Sequence, residues 1–555
     1  MIIKIALVTV TQMDFGIRTV SGILRNEGLE TAKVSLLKDG PYTENEISAI
    51  LNLFSQFDFI AFTATDYGFG KVVQLVKAVK DSIKKPTLIG GVKAIMDPSI
   101  CLMAGTDAIC LGDAENGFVE LLNNWGGRFL INNKNFVVKE SDLNNIDYLR
   151  VKPAQNLDQF TPDFSYDNYY FLKNGELINL SSELVETPKQ HLVGHKQTLF
   201  YTSQRGCPNS CNYCYNNEIK KAFSRAAGNP VSYLRMKSIK KMVQELVLLL
   251  SQNPQAKFMG FADDDMAART VEELEQFHKL YKEHIGLPFF CALSPQQLKG
   301  AKGRKKIEIL ASAGMKEVCM GIQTNQKTNR LYNRFQSDED LIEACAMLSE
   351  CSDDGSRFII LYDFIFFSPF EKEEDVKRTI KLIQQLPKPF DVIDHCLFLG
   401  GDTTLRKKYE AQKAKLDKIG KKIDVVVEDN PVNLTKVSNF HDYHTSIDWM
   451  SQNSGFVINA ICGFISGKHD SKMSGRIPFR TSKLIDFDVF KEFIHENPDF
   501  EEIIRNDHIN EQSINFLISD KVLQYFKSNI KRFKILVRNM HKMHPRRLSN
   551  QTDNY

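Results

Sequence analysis

At 555 residues the chain exceeds the size at which one hydrophobic core stops growing, so two or three domains are expected. A formal net charge of +3, with 43% hydrophobic and 25% charged residues, is ordinary for a soluble globular protein and provides no global attraction to nucleic acid or an anionic membrane. Eleven cysteines are too sparse for a disulfide framework, and no stretch approaches the roughly 18 uninterrupted apolar residues of a membrane span, so a cytoplasmic protein is expected.

Residues 2–10 (IIKIALVTV) are too short an apolar run for a signal peptide, lack a small-residue cleavage site, and read as a buried strand. A helical pattern in Ile17, Val20, Ile23 and Leu24 follows and ends near Gly28. Phe57 to Ala64 reads as a strand, Val72 to Ile83 as a helix, Pro86 to Ile89 as a strand ending in Gly90-Gly91, Ala108 to Leu111 as a strand and Phe118 to Trp125 as a helix. This α/β alternation predicts a doubly wound, Rossmann-like parallel sheet over residues 1–140. Residues 141–195, rich in Asp, Asn, Tyr and Pro, read as a connecting segment.

Alternation resumes over residues 196–430. Six strands are expected at Leu199 to Ser203, Phe258 to Ala262, Phe289 to Leu293, Glu317 to Ile322, Phe358 to Phe366 and Val392 to Leu399, with helices between them. They fit a partial (β/α)6 barrel with its site at the C-terminal strand ends. Residues 431–555 show helical patterns and a basic stretch from Lys527 to Arg547, read as a solvated helix face in a mostly helical domain.

The sharpest local signal is Arg205-Gly206-Cys207-Pro208-Asn209-Ser210-Cys211-Asn212-Tyr213-Cys214, a C-x3-C-x2-C cluster directly after a predicted strand. Three thiolates ligate three irons of a [4Fe–4S] cubane and leave the fourth open to a small molecule offering an amine and a carboxylate. A structural zinc site is the alternative, and it requires a fourth ligand, for which His191 or His195 is available in sequence. The remaining eight cysteines are scattered singly in mostly apolar surroundings and read as small buried thiols.

With Tyr213 as the aromatic before Cys214, this cluster resembles the CxxxCxΦC signature of the radical S-adenosylmethionine (SAM) superfamily, and the resemblance runs over residues of about 198–400. It implies a cluster on Cys207, Cys211 and Cys214 that cleaves SAM to a 5′-deoxyadenosyl radical, with Tyr213 near the adenine. Phe261-Ala262-Asp263-Asp264-Asp265-Met266 resembles the FxDDxF stretch of the cobalamin-binding branch, Met266 replacing the final aromatic, and nominates Asp263 and Asp264 for the cofactor site. The same acids also read as an N-cap for the helix beginning near Val271. Gln323 in Gly321-Ile322-Gln323-Thr324, Arg334, and Ser294 at the third strand end are the further SAM-binding candidates that the resemblance implies. Phe367-Ser368-Pro369-Phe370 and Gly400-Gly401-Asp402-Thr403 depart from the family pattern at the last two strand ends.

Gly16-Ile17-Arg18, Ala61 to Thr65, Gly90 to Ala94 and Leu111 to Glu115 together resemble the cobalamin-binding domain that precedes the barrel in that branch. Gly90, Gly91 and Gly112 would let the backbone approach a flat macrocycle, and no G-x-G-x-x-G follows the first strand to suggest a dinucleotide. No histidine precedes His191, so cobalt is expected without a histidine from this domain, above the loop Thr65 to Gly70, with Thr65 and Tyr67 nearest to it.

The resemblance implies methylation of an unactivated carbon through a 5′-deoxyadenosyl radical and methylcobalamin. A non-methylating cobalamin-dependent cyclase, rearrangement or oxidation enzyme is the alternative, and an iron–sulfur binding or maturation protein is the alternative of a different class. A methylthiotransferase is disfavoured, because residues 1–150 supply only Cys101 and Cys110 of the three further cluster cysteines that such enzymes bring. The implied partners are a small-metabolite or peptide substrate and an external low-potential electron donor, with no nucleic acid.

Overall fold

A computed structural model describes residues 3–417, except 12–13, 39, 67, 116, 124, 126–135, 138–152, 181–197, 228–232, 354, 367–369, 371–372, 388–389 and 398–402. Tyr67, His191, His195 and the expected helical domain at 431–555 therefore lie outside the described residues. No described helix is long and apolar enough to cross a membrane.

The first sheet has eight strands: β1 (Lys4–Thr9), β2 (Glu30–Ser35), β3 (Phe59–Thr63), β4 (Thr87–Gly90), β5 (Ala108–Cys110), β6 (Phe136–Val137), β7 (Tyr169–Lys173) and β8 (Glu176–Asn179). They run in the order β6-β5-β4-β3-β1-β2-β7-β8, with β6 and β8 antiparallel at the edges and every other pair parallel. Helices Phe15–Asn26, Glu44–Phe54, Phe69–Ala78 and Phe118–Asn123 intervene in the chain, and burial on both faces explains why β1 reads as unbroken apolar sequence. The strand order reverses between β1 and β3, which puts a crevice at the C-terminal ends of those two strands.

Two features depart from the sequence reading. Strand β2 is invisible to an apolar-run criterion because Thr31 and Lys33 sit within it, yet Lys33 is only 1% exposed. The segment read as a connector supplies β7, parallel to β2, and β8, so residues 169–179 belong to the first sheet. Asp163 explains both: it pairs with the Lys33 ammonium, accepts from Ser21 Oγ at 2.7 Å and lies 3.1 Å from Arg25. A buried lysine is tolerated only with such a partner, and that partner lies 130 residues away.

The second sheet contains β9 (Thr198–Tyr201), β12 (Phe258–Phe261), β13 (Phe289–Leu293), β14 (Met315–Gln323), β15 (Ile359–Phe366) and β16 (Asp391–Cys396), in sequential order and all parallel. This is the expected six-stranded partial barrel. A separate two-stranded ribbon pairs β10 (Gln204–Arg205) with β11 (Arg235–Met236). Alternate residues of the barrel strands, such as Met259, Phe261, Cys291, Val318, Met320 and Tyr362, pack against the helices in one large cluster, leaving their neighbours for the lumen. The helix Tyr215–Ala227, which the sequence reading missed, sends Ile219 and Phe223 into the core of the first domain.

Candidate active site

The three cysteines lie on the loop between β9 and the helix Tyr215–Ala227, at the C-terminal end of the barrel. Gly206 opens that loop at φ 87°, and a Cβ there would lie 2.6 Å from both the Tyr233 ring and its carbonyl oxygen. Only glycine fits. Cys207 and Cys214 are half-buried and Cys211 is buried, with Cys214 N donating to Cys211 O at 3.1 Å to form a turn. Asn212 N donates to Tyr332 O at 3.1 Å, Asn212 Nδ2 to Leu331 O at 2.5 Å, and Asn333 Nδ2 to Ser210 O at 2.7 Å. The segment after β14 thus seats the loop.

Burial pushes the Cys207 and Cys214 thiols up to about 12, so each requires a nearby cation before it becomes a thiolate. Iron supplies that charge, and the donor set of three soft sulfurs suits a cluster. Arg334, 5% exposed, adds a guanidinium whose Nη1 donates to Cys211 Sγ at 3.5 Å while Nη2 donates to Gly321 O at 2.5 Å. No three His, Cys, Asp or Glu side chains among the described residues converge as ligands of one metal ion. A cubane, which takes one thiolate per iron, does not need that convergence.

The acids after β12 separate into distinct roles. Asp263, 2% exposed, accepts from Ser203 N at 2.6 Å, Gln204 N at 3.1 Å and Thr202 Oγ1 at 3.0 Å, and also from the Ser203 hydroxyl. With its amide oxygen facing the turn, Gln204 accepts in return from Asp264 N and Asp265 N, each at 2.9 Å. The two strand ends are thereby tied reciprocally, and Asp263 holds the cysteine loop from behind. Asp264, which is exposed, accepts from Asn216 Nδ2 at 2.9 Å. Neither caps the helix Val271–His284: Thr270 does so in a capping box with Glu273, while Asp265 caps the short turn at Met266–Ala268. The capping reading is corrected accordingly, because Thr270, not the acids, sits one residue before the helix.

Ser294 donates its hydroxyl to Asp265, and its N–H does so at 3.2 Å. Gln323 stands at φ 72°, where a register shift in the β14/β15 pairing turns its amide over Gly321; a Cβ at Gly321 would lie 2.6 Å from Gln323 Nε2. That nitrogen donates to Asp363 Oδ2 at 3.0 Å, while Gln323 Oε1 is buried without a partner. Tyr213 packs edge-on against Tyr332 with ring centroids 5.2 Å apart, and burial drives its phenol well above the usual range. Cys207, Cys211, Cys214, Tyr213, Asp264, Gln323 and Arg334 thus gather around one barrel mouth.

In the first domain, Gly90, Gly91 and Gly112 line a cavity of about 440 Å³ bounded by the sheet, the start of the helix Phe15–Asn26 and barrel residues Thr198 to Arg205. Gly91 (φ 87°) is required for a closer reason than a macrocycle: a Cβ would lie 2.8 Å from Ala64 O and from Thr63 Oγ1. Thr65 accepts from Gly68 N at 3.2 Å through its carbonyl, shaping the loop after β3, and is not part of the cavity lining. Sequence reasoning gave no role to Asp66, Lys93, Arg205 or Asp363, although the first three lie within stretches that it singled out.

Residues 201–383 match the family model of the radical SAM superfamily. The matched stretch runs from the end of β9 into the helix Glu373–Gln385 and includes all three cysteines. No curated protein matches the sequence. Two solved structures of the radical SAM methyltransferase TsrM from Kitasatospora setae are similar to it. The one with cobalamin and a [4Fe–4S] cluster has 12% identity and a TM-score of 0.53, covering 75% of this chain and 79% of TsrM. The one with tryptophan substrate and a SAM analogue has 12% identity and a TM-score of 0.54, covering 74% and 76%. OxsB, a cobalamin-dependent SAM radical enzyme solved with aqua-cobalamin, is similar at 12% identity and a TM-score of 0.52 over 95% of this chain and 84% of its own. At this identity the shared feature is the fold.

Proposed function

We propose that this radical SAM protein binds cobalamin in its N-terminal domain and methylates an unactivated carbon of a small metabolite or peptide. The observation that carries the reading is the juxtaposition of the cysteine loop with a glycine-lined cavity at the strand ends of a second, doubly wound sheet. When bound, the cluster with SAM supplies one-electron cleavage of a carbon–sulfur bond, and cobalamin supplies a methyl carrier. TsrM, of like fold, is a methyltransferase whose structures contain cobalamin, a [4Fe–4S] cluster, a SAM analogue and tryptophan, which supports this reading.

The chain's own residues divide the work. Cys207, Cys211 and Cys214 would hold the cluster, and Arg334 compensates sulfur charge at Cys211. Asp263 and Gln204 fix the loop, so that the thiols need not be ordered when the cluster arrives. Tyr213, Gln323 and Ser294 are the residues proposed to face SAM. In the cavity, Leu7, Ala61, Leu88 and Phe118 exclude water beside the three glycines. No imidazole precedes His191 in sequence, so cobalt would lack a histidine from this domain. An external low-potential donor would provide the electron.

A second reading is a radical enzyme that uses cobalamin without methyl transfer, and the likeness to OxsB, a cobalamin-dependent SAM radical enzyme, over 95% of the chain is compatible with either. The test separates them. After anaerobic reconstitution with iron, sulfide and hydroxocobalamin, SAM and a low-potential reductant are added and the products quantified by mass spectrometry. S-adenosylhomocysteine together with 5′-deoxyadenosine is the expected result; deoxyadenosine alone selects the second reading; neither product from a fully loaded cluster overturns both.

A further inference from the structure

Two buried polar networks outside the cysteines meet the loop that carries them. On its leading side Arg205, two residues before Cys207, donates to Glu115 and lies 3.1 Å from Asp113. Asp113 is itself held by Arg235 of β11 and by Ala154 N at 2.7 Å. On the trailing side Tyr215, the residue after Cys214, donates its hydroxyl to Asp66. Asp66 lies 2.7 Å from the ammonium of Lys93, which is 2.5 Å from Asp97 as well. Ile219 and Phe223 continue the contact one and two turns further along the helix.

The cysteine loop is thus gripped at both ends by the loops that follow β3 and β5 of the other domain. Exposed ion pairs would contribute little, but here the side chains of Glu115, Asp66 and Lys93 are 3%, 9% and 1% exposed. Removing one partner of a buried, hydrogen-bonded charge leaves the other uncompensated, so these contacts define one geometry. Simple domain adhesion would place them anywhere along the interface. They bracket Cys207 and Cys214 instead.

We infer that Asp66 and the Asp113–Glu115 pair are positioning residues for the cysteine loop, so that the N-terminal domain sets the environment of the cluster through Tyr215 and Arg205. Gly112, Asp113 and Glu115 also line the cavity, so its occupant and the cysteine loop share one support. Filling the cavity stabilises the loop, and linkage makes that coupling reciprocal. The coupling rests on the proposed cobalamin function; the positioning does not.

The experiment uses the full chain with its cluster reconstituted anaerobically, first without cobalamin. Tyr215→Phe removes one hydroxyl and keeps the ring; Glu115→Gln keeps the shape and removes the charge; Arg205→Lys and Arg205→Met form a rescue pair. The readouts are the rate of iron loss to a chelator and the g values of the reduced cluster. Tyr215→Phe and Glu115→Gln are expected to lose iron about fivefold faster or more, with displaced g values and a wild-type far-ultraviolet dichroism spectrum. Arg205→Lys should lie closer to wild type than Arg205→Met. Wild-type rates and spectra in both Tyr215→Phe and Glu115→Gln overturn the positioning role, and Tyr215→Phe alone decides if Glu115→Gln does not fold. In a second arm, saturating hydroxocobalamin should slow iron loss about fivefold in wild type but not in Arg205→Met, which cuts the link from the Asp113–Glu115 side of the cavity to the cysteine loop. An unchanged rate in cobalamin-loaded wild type overturns the coupling, and failure of hydroxocobalamin to bind overturns both it and the proposed function while the first arm still decides the positioning.

Discussion

Asp263 and Asp264 are adjacent and chemically identical, yet their surroundings give them different work. Asp263 is saturated by donors from the cysteine loop: Asp263→Asn can keep an oxygen toward the Ser203 and Gln204 N–H groups, but it loses the charge and turns its NH2 toward the Ser203 hydroxyl, which already accepts from Arg269, and is expected to cost about 2 kcal/mol. Iron bound per chain should fall with it. Asp264 is exposed and accepts a single side-chain hydrogen bond from Asn216, so Asp264→Asn should cost less in urea unfolding of the barrel. The opposite case is Asp163. Burial pushes its carboxyl up, but the Lys33 ammonium and the hydroxyls of Ser165 and Ser21 outweigh that and hold it well below the usual carboxylate range. A carboxyl lowered on folding contributes stability above its unfolded value of 3.8, lost as pH falls below it. Wild type should therefore lose more stability than Asp163→Asn between about pH 5 and pH 2 in parallel urea titrations.

At the scale of elements, helix ends are decided by single side chains that satisfy free backbone groups. The capping box of Thr270 and Glu273 starts the helix Val271–His284, so Thr270→Ala should cost about 1 kcal/mol in chemical denaturation, while Asp264→Asn leaves that helix start intact. The barrel strands were legible because β9, β12, β13 and β15 are largely apolar runs, and their alternation with helices also places the more polar β14 and β16. Strand β2 was not, because its identity depends on a buried lysine that an apolar pattern penalises. The helix Tyr215–Ala227 was missed for a related reason: its apolar face meets the N-terminal core rather than the barrel it belongs to in sequence.

At the scale of the whole molecule, the barrel core lies between strands and helices, away from the cysteine loop. Replacing Cys207, Cys211 and Cys214 together by alanine should abolish 5′-deoxyadenosine formation while leaving the thermal unfolding midpoint within a few degrees of wild type, about the shift of 1 kcal/mol. A collapse of the midpoint would show that the cluster, rather than packing, holds the barrel. The two domains meet through the first strand end of the barrel, its ribbon and the helix after the cysteines, so the N-terminal sheet reaches the same barrel mouth that carries the thiols.

The sequence by itself determined the cysteine spacing and the alternation of strands and helices, because each is written within a few residues as a period or a spacing. The tertiary structure alone decided that Asp263 faces the cysteine loop, that residues 169–179 join the first sheet, and that Arg205 and Tyr215 hand the cysteines to the other domain. Those choices depend on which buried charge meets which partner 60 to 149 residues away. Local periodicity carries no record of such meetings; only desolvation in the packed chain, where an unpaired charge is costly, selects them.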